Sequence, residues 1–222
     1  MMTLAGAAGR QLPTITAMAA HFTEEIAAAA ARLVVDEGME YAEAKRKALR
    51  QLGRHSLRQA EMPSNEQVED QVREHLALFC ADSQPAELRA LRELALHWMD
   101  RLAEFRPHLA GAVWRGTATR ESALLLELYC DDAKAAEIGL INLGLNYDVG
   151  SRQRPRSEPQ NLLSLAVPCP ALGEPVTLVL VVADHDDLRG ALKPDARGRS
   201  WRGDPVALQR LLAADGATAK AD

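Results

Sequence analysis

The chain predicts an α+β fold in which an N-terminal helical region precedes a mixed β-sheet with flanking helices. Three observations carry this expectation. Between residues 23 and 105, apolar side chains recur at steps of three and four, the helical period. Within 109–132, two apolar runs, 109–114 and 123–130, flank Gly116-Thr117 and the polar connection Thr119-Arg120-Glu121-Ser122, the pattern of two strands joined across a glycine turn. Residues 176–182 are almost continuously aliphatic, which suits a strand buried on both faces rather than an edge.

Composition narrows the function classes. At 222 residues the chain holds one domain or two small ones and can bury a substantial core. A net charge of -5 argues against strong nucleic-acid binding, which draws its affinity from Lys and Arg neutralising phosphates. Aromatic residues make up only 4%, too few for base-stacking platforms. Cys80, Cys130 and Cys169 are odd in number and lack C-x-x-C spacing, so free thiols in a reducing compartment are expected. Arg10 and Pro13 interrupt any signal-like core near the start, and no apolar run reaches the roughly 18 residues that span a bilayer. These features predict a soluble cytoplasmic protein with no membrane partner.

Taken in order, residues 1–20 are rich in Ala and Gly and read as a disordered arm. A helical region covers 21–82. Thr23 caps its first helix, Glu24 and Glu25 favour the positive end of the dipole, 27–31 is all helix-forming alanine, and Gly38 stops it. A second helix over 41–52 carries Lys45, Arg46, Lys47 and Arg50 above Ala44, Ala48 and Leu49. That basic face suits either solvent or nucleic acid, and the N-terminal helices offer a surface for a protein partner. After a linker at 54–63, Ser64 and Gln67 form a capping box, and Val68, Val72, Leu76 and Phe79 share one helical face.

Pro85 opens a fourth helix and, with it, an α+β domain over 83–215. Along this helix Leu88, Leu91, Ala95, Trp98, Leu102 and Phe105 form a stripe suited to packing on a sheet, until Arg106-Pro107 ends it. Beyond 109–132, Asp131-Asp132 caps a helix over 133–143, 145–149 reads as a short edge strand, and 150–160 as a basic loop. Strands follow at 161–167 and 175–182. The cluster Asp184-His185-Asp186-Asp187 combines hard metal ligands with an equally plain role in capping the next helix. Residues 189–203 set Arg197, Arg199 and Arg202 among glycines, a loop able to hold a phosphate or to lie solvated. Asp204-Pro205 caps a last helix over 206–213, and 216–222 reads as a disordered tail.

The stretch Leu109-Ala110-Gly111-Ala112, Arg115-Gly116-Thr117-Ala118 and Ser122-Ala123-Leu124-Leu125 resembles the signature of the nucleotidyltransferase superfamily that includes polymerase-beta-like and minimal nucleotidyltransferases. The resemblance implies that Gly111, Ala112, Arg115, Gly116, Thr117 and Ser122 line a phosphate pocket, with Arg197, Arg199 and Arg202 as a basic lid. It also implies two metal-binding aspartates where this chain has Ala123 and Leu125, and a third carboxylate on a strand whose only internal polar residue is Thr177. Alternation places 123, 125 and 127 on one strand face, where Glu127 is the sole acidic residue. One carboxylate cannot bridge the two magnesium ions, about 3.5 to 4 Å apart, of such chemistry.

Two readings follow. The first is a catalytically degenerate nucleotidyltransferase-like module, with no certain cofactor, that binds a nucleotide or other phosphate-bearing ligand or serves as a regulatory interaction module. The second is a working magnesium-dependent nucleotidyltransferase with metal ligands relocated to Glu127, Asp184 and Asp186. P-loop, G-x-S-x-G, H-E-x-x-H and paired C-x-x-C motifs are absent, which weakens ATPase, serine-hydrolase and zinc readings.

Overall fold

Helical residues dominate the first half of the chain and strands the second, and the backbone divides accordingly. A computed structural model describes residues 15–53, 62–152, 160–195 and 197–218. Its elements are α1 (Ile15–Glu37), α2 (Tyr41–Gln51), α3 (Asn65–Phe79), α4 (Gln84–Arg101), β1 (His108–Ala110), α5 (Gly111–Arg115), β2 (Leu124–Cys130) and α6 (Ala133–Asn142). They continue with β3 (Asp148–Arg152), β4 (Gln160–Cys169), β5 (Glu174–Asp184), α7 (Asp187–Ala191), β6 (Arg202–Gly203) and α8 (Pro205–Thr218). The architecture is α+β: N-terminal helices followed by a six-stranded mixed sheet. No described helix is long and apolar enough to cross a membrane.

Several boundaries depart from the sequence expectation. Helix α1 begins at Ile15, well before Thr23, because the Ala-rich residues ahead of that threonine are themselves good helix formers. Only residues 1–14 of the expected arm lie outside the described residues. At the other end α8 runs to Thr218, past the expected stop at Ala213 and into the first residues of the expected tail. The apolar run 109–114 is not one strand: β1 ends at Ala110, Gly111 turns with φ +72°, and 111–115 coils into α5. Most of 54–63 and of 150–160 lies outside the described residues, although Gly150, Ser151 and Arg152 belong to β3 rather than to a loop.

Helices α1 to α3 enclose one apolar cluster, in which Ala27, Ala30, Ala44 and Ala48 let the helices approach closely around Ile26 and Val72. The capping box forms as expected, with Ser64 Oγ accepting from Gln67 N at 3.1 Å and Gln67 Oε1 from Ser64 N at 2.8 Å. A second cluster joins α4 and α6 to one face of the sheet, burying Trp98, Met99, Leu102 and Phe105 against Leu126 and Leu180. Phe105 lies so close to Gly139 that a Cβ there would come within 2.7 Å of its ring.

The strand order is β3-β4-β5-β2-β1-β6, with β2 parallel to β5 and the other pairs antiparallel. Strand β5 is therefore central, as its aliphatic run requires. The sheet's helix-covered face carries Leu124, Leu126 and Leu128, all fully buried. Its opposite face carries Leu125, Glu127 and Tyr129 beside their partners Val179, Val181 and Ala183.

The two units meet at the turn before β2. Thr119 Oγ1 donates to the Val35 carbonyl at 3.1 Å, and Ser122 Oγ closes the turn by accepting from Thr119 N at 3.0 Å. Gly38, at φ +64°, abuts this turn, where the Glu121 carbonyl occupies the space a Cβ would need.

Candidate functional site

A five-residue helix cannot stand alone in water, and α5 is held by side chains from two longer helices. Arg92 of α4 donates to the carbonyls of Val113 at 3.2 Å and Trp114 at 3.3 Å, while Arg73 of α3 donates to that of Arg115 at 2.7 Å. Gln84 adds bonds to the carbonyls of Gly116 and Ala118. The C-terminal carbonyls of α5 thus meet two guanidinium groups, which also suits the negative end of its dipole. Arg92 is itself anchored by Asp215 of α8 at 2.6 Å.

This scaffold fixes Trp114 and Arg115 at the wall of a half-open cleft of about 190 Å³, lined by Glu69, Arg73, Trp114, Arg115, Arg199 and Trp201 among others. At its base Glu69, fully buried, accepts from Arg73 at 2.9 Å and Arg199 at 3.1 Å, and lies 3.6 Å from Arg115 Nε. The Arg115 guanidinium also lies over the rings of Tyr41 at 4.6 Å and Trp201 at 5.3 Å. Asp195 holds Arg199 through its side chain at 3.1 Å and accepts from the backbone N–H groups of Arg197 and Arg199. The backbone bond from Arg199 is the main reason the Asp195 carboxyl sits below the usual carboxylate range.

Three guanidiniums thus meet two carboxylates, leaving one positive charge in excess. Beside Arg115, whose guanidinium covers the Tyr41 ring, the buried hydroxyls of Tyr41 and Thr117 lie near each other without a well-formed hydrogen bond. Burial, foremost, raises the Tyr41 hydroxyl above its ordinary value, so it stays neutral.

Of the phosphate-pocket residues expected from the sequence, Arg115 and Arg199 come together here, through Glu69. The others do not share a pocket. Gly111 packs against Leu125, Ala112 gives its carbonyl to Thr117 N at 2.9 Å, Gly116 at φ +78° ends α5, and Ser122 serves the turn described above. Arg197 pairs with Asp70 through both of its terminal nitrogens. Arg202 crosses to the sheet face, 2.7 Å from Glu127 Oε2 and 3.1 Å from Tyr129 Oη. The charged and aromatic cleft residues missed in the sequence were Glu69, Arg73, Trp114, Asp195 and Trp201. Their available signal was faint: Glu69 and Arg73 form an i,i+4 pair beside the stripe of Val68, Val72 and Leu76.

The relocated metal ligands fare differently. Glu127 is engaged by Arg202 and by Tyr129 Oη at 2.6 Å, and burial together with that bond pushes the Tyr129 hydroxyl far above its ordinary value. In the β2–β5 register Glu127 faces Val181, whereas Asp184 faces Cys130, three residues along and on the opposite side of the sheet. At about 3.3 Å per residue, that offset alone is roughly 10 Å. Asp184 Oδ1 accepts from Asp186 N at 2.8 Å, a local turn at the strand end. Among the described residues no three His, Cys, Asp or Glu side chains are placed to hold a metal ion. These groups therefore do not fit a magnesium pair.

No family of known proteins matches the sequence, and no curated protein does. Two solved structures are similar in part. Cid1 in complex with its short product ApU is 18% identical, with a TM-score of 0.31 over 48% of this chain and 32% of that chain. Cid1 in complex with the UTP analog UMPNPP is 15% identical, with a TM-score of 0.32 over 51% of this chain and 36% of that one. The chain spans about a third of the length of either Cid1 chain.

Proposed function

We propose that this chain is a nucleotidyltransferase-like module that binds a phosphate-bearing ligand, with a nucleotide as the favoured class, and transfers nothing. The observation that carries the reading is the sheet face itself: Ala123, Leu125 and Thr177 stand where the resemblance calls for metal carboxylates, and Glu127 is engaged by Arg202 and Tyr129. Without a carboxylate pair the transition-state charge of phosphoryl transfer has no metal clamp.

Binding is supported instead by the cleft between α3, α5 and the segment 197–201. Arg73 and Arg199 are partly exposed, with 46% and 37% of their side-chain surface open, so each keeps N–H groups for an anion. Trp114 and Trp201 supply flat apolar walls suited to a base or another ring. A ligand there would touch both the helical unit and the sheet unit, and an interaction or regulatory role through the N-terminal helices follows from that position.

Incubation of the purified protein with each labelled nucleoside triphosphate, magnesium or manganese, and protein or RNA acceptors tests the noncatalytic half. No transfer is expected. Turnover that disappears in Glu127→Gln while the fold remains intact would overturn it in favour of relocated ligands.

A further inference from the structure

Among the described residues the sheet ends on one side in β6, two residues long, and on the other in β3, five residues long and exposed throughout. Among the described residues β3 pairs with β4 on one side only, and its other row of backbone N–H and C=O groups meets no described strand. Exposed edges of this kind are templates for pairing. Val149 is 66% exposed, and its partner Leu163 places it on the helix-covered side.

We infer that β3 is a self-association edge, where two copies of this chain pair antiparallel about a two-fold axis through Gly150 and continue the sheet from one subunit into the next. The sequence of the strand, Asp148-Val149-Gly150-Ser151-Arg152, commits the occupant. An axis at Gly150 sets Asp148 of each copy opposite Arg152 of the other, giving two complementary cross-strand charge pairs. Moving the axis to Val149 or Ser151 removes both. A two-fold perpendicular to the sheet keeps both helix-covered faces on one side, so the exposed Val149 side chains of the two copies flank the axis and supply apolar area that a bare strand edge lacks. Gly150 itself sits at the crossing point, and a Cβ there would make only ordinary contact with Leu162, at 3.8 Å.

Sedimentation velocity over a range of concentrations tests this on the full chain. Wild-type protein should show a concentration-dependent dimer. Asp148→Arg or Arg152→Asp alone should raise its dissociation constant about tenfold, since each reversal turns two attractive pairs repulsive, and the double variant should restore it. In a Cys80→Ser/Cys130→Ser background, Gly150→Cys should form a disulfide-linked dimer under mild oxidation. A monomer at every concentration would overturn the proposal. So would a dimer indifferent to the single reversals, or a double variant no tighter than the single ones.

Discussion

Glu69 and Arg115 approach to 3.6 Å at the junction of the helical unit and the sheet unit, one from α3 and the other from α5. The carboxylate is buried, and it is tolerated there because Arg73 and Arg199 bind it as well. Removing it would leave three cations crowded without their shared anion.

Glu69→Gln should therefore destabilise the protein by about 2 kcal/mol, less than a broken buried pair usually costs because two of the arginines can rehydrate. For a chain of this size that is a fall of roughly 4 to 8 °C in Tm, measurable by calorimetry. The loss should couple with Arg199→Ala in a double-mutant cycle, because the two side chains bond directly.

Gly38→Ala addresses the same junction from the backbone. The residue has positive φ, and the Glu121 carbonyl fills the Cβ position. A cost of about 2 kcal/mol or more is expected. Amide exchange should quicken on both sides of the contact, in α1 and in the turn at 117–122, whereas β4 and β5 should be unaffected.

Acid should loosen the segment 197–201 before it unfolds the sheet. Arg197 holds the Asp70 carboxyl below the usual carboxylate range, and the Arg199 backbone N–H does the same for Asp195. Depressed values mean that the stabilisation is complete above the unfolded carboxylate value and is lost as pH falls from about 4 through the folded values. Asp195→Asn should lower Tm more at pH 6 than near pH 3, where part of the stabilisation has already been lost. An equal effect at both pH values would contradict this.

Leu125→Asp with Ala123→Asp tests the degenerate sheet face. Ala123 is exposed and Leu125 half-buried, so the two carboxylates should cost no more than about 1 to 3 kcal/mol together, rather than the several that deep burial would impose. Magnesium should then raise Tm of the double variant but not of the wild type. Equal shifts in both proteins would mean that the wild type already holds the ion.

The helices and the central strand were legible because local patterns govern them: the capping box at Ser64, the stripe along α4, and the aliphatic run of β5 each act within a few residues. The end of β1 was not, since Val113 and Trp114 suit a strand as well as a helix, and Arg92 and Arg73, remote in sequence, cap the helix they join. The cleft was hidden for the same reason. Arg115 and Arg199 stood out as basic residues near glycines, but the buried carboxylate that gathers them lies on α3, where an i,i+4 Glu–Arg pair reads as an ordinary solvated helix surface.

The most direct measurement uses the protein's own tryptophans, two of whose three, Trp114 and Trp201, line the cleft. Titration with nucleoside triphosphates at low salt should change their fluorescence saturably, equally with magnesium and with a chelator. Affinity should weaken as salt rises and fall at least tenfold in Arg199→Ala, the loss of about one charged hydrogen bond. No change with any nucleotide, or binding that requires magnesium and survives Arg199→Ala, would contradict the account and return the ligand to the face of β2.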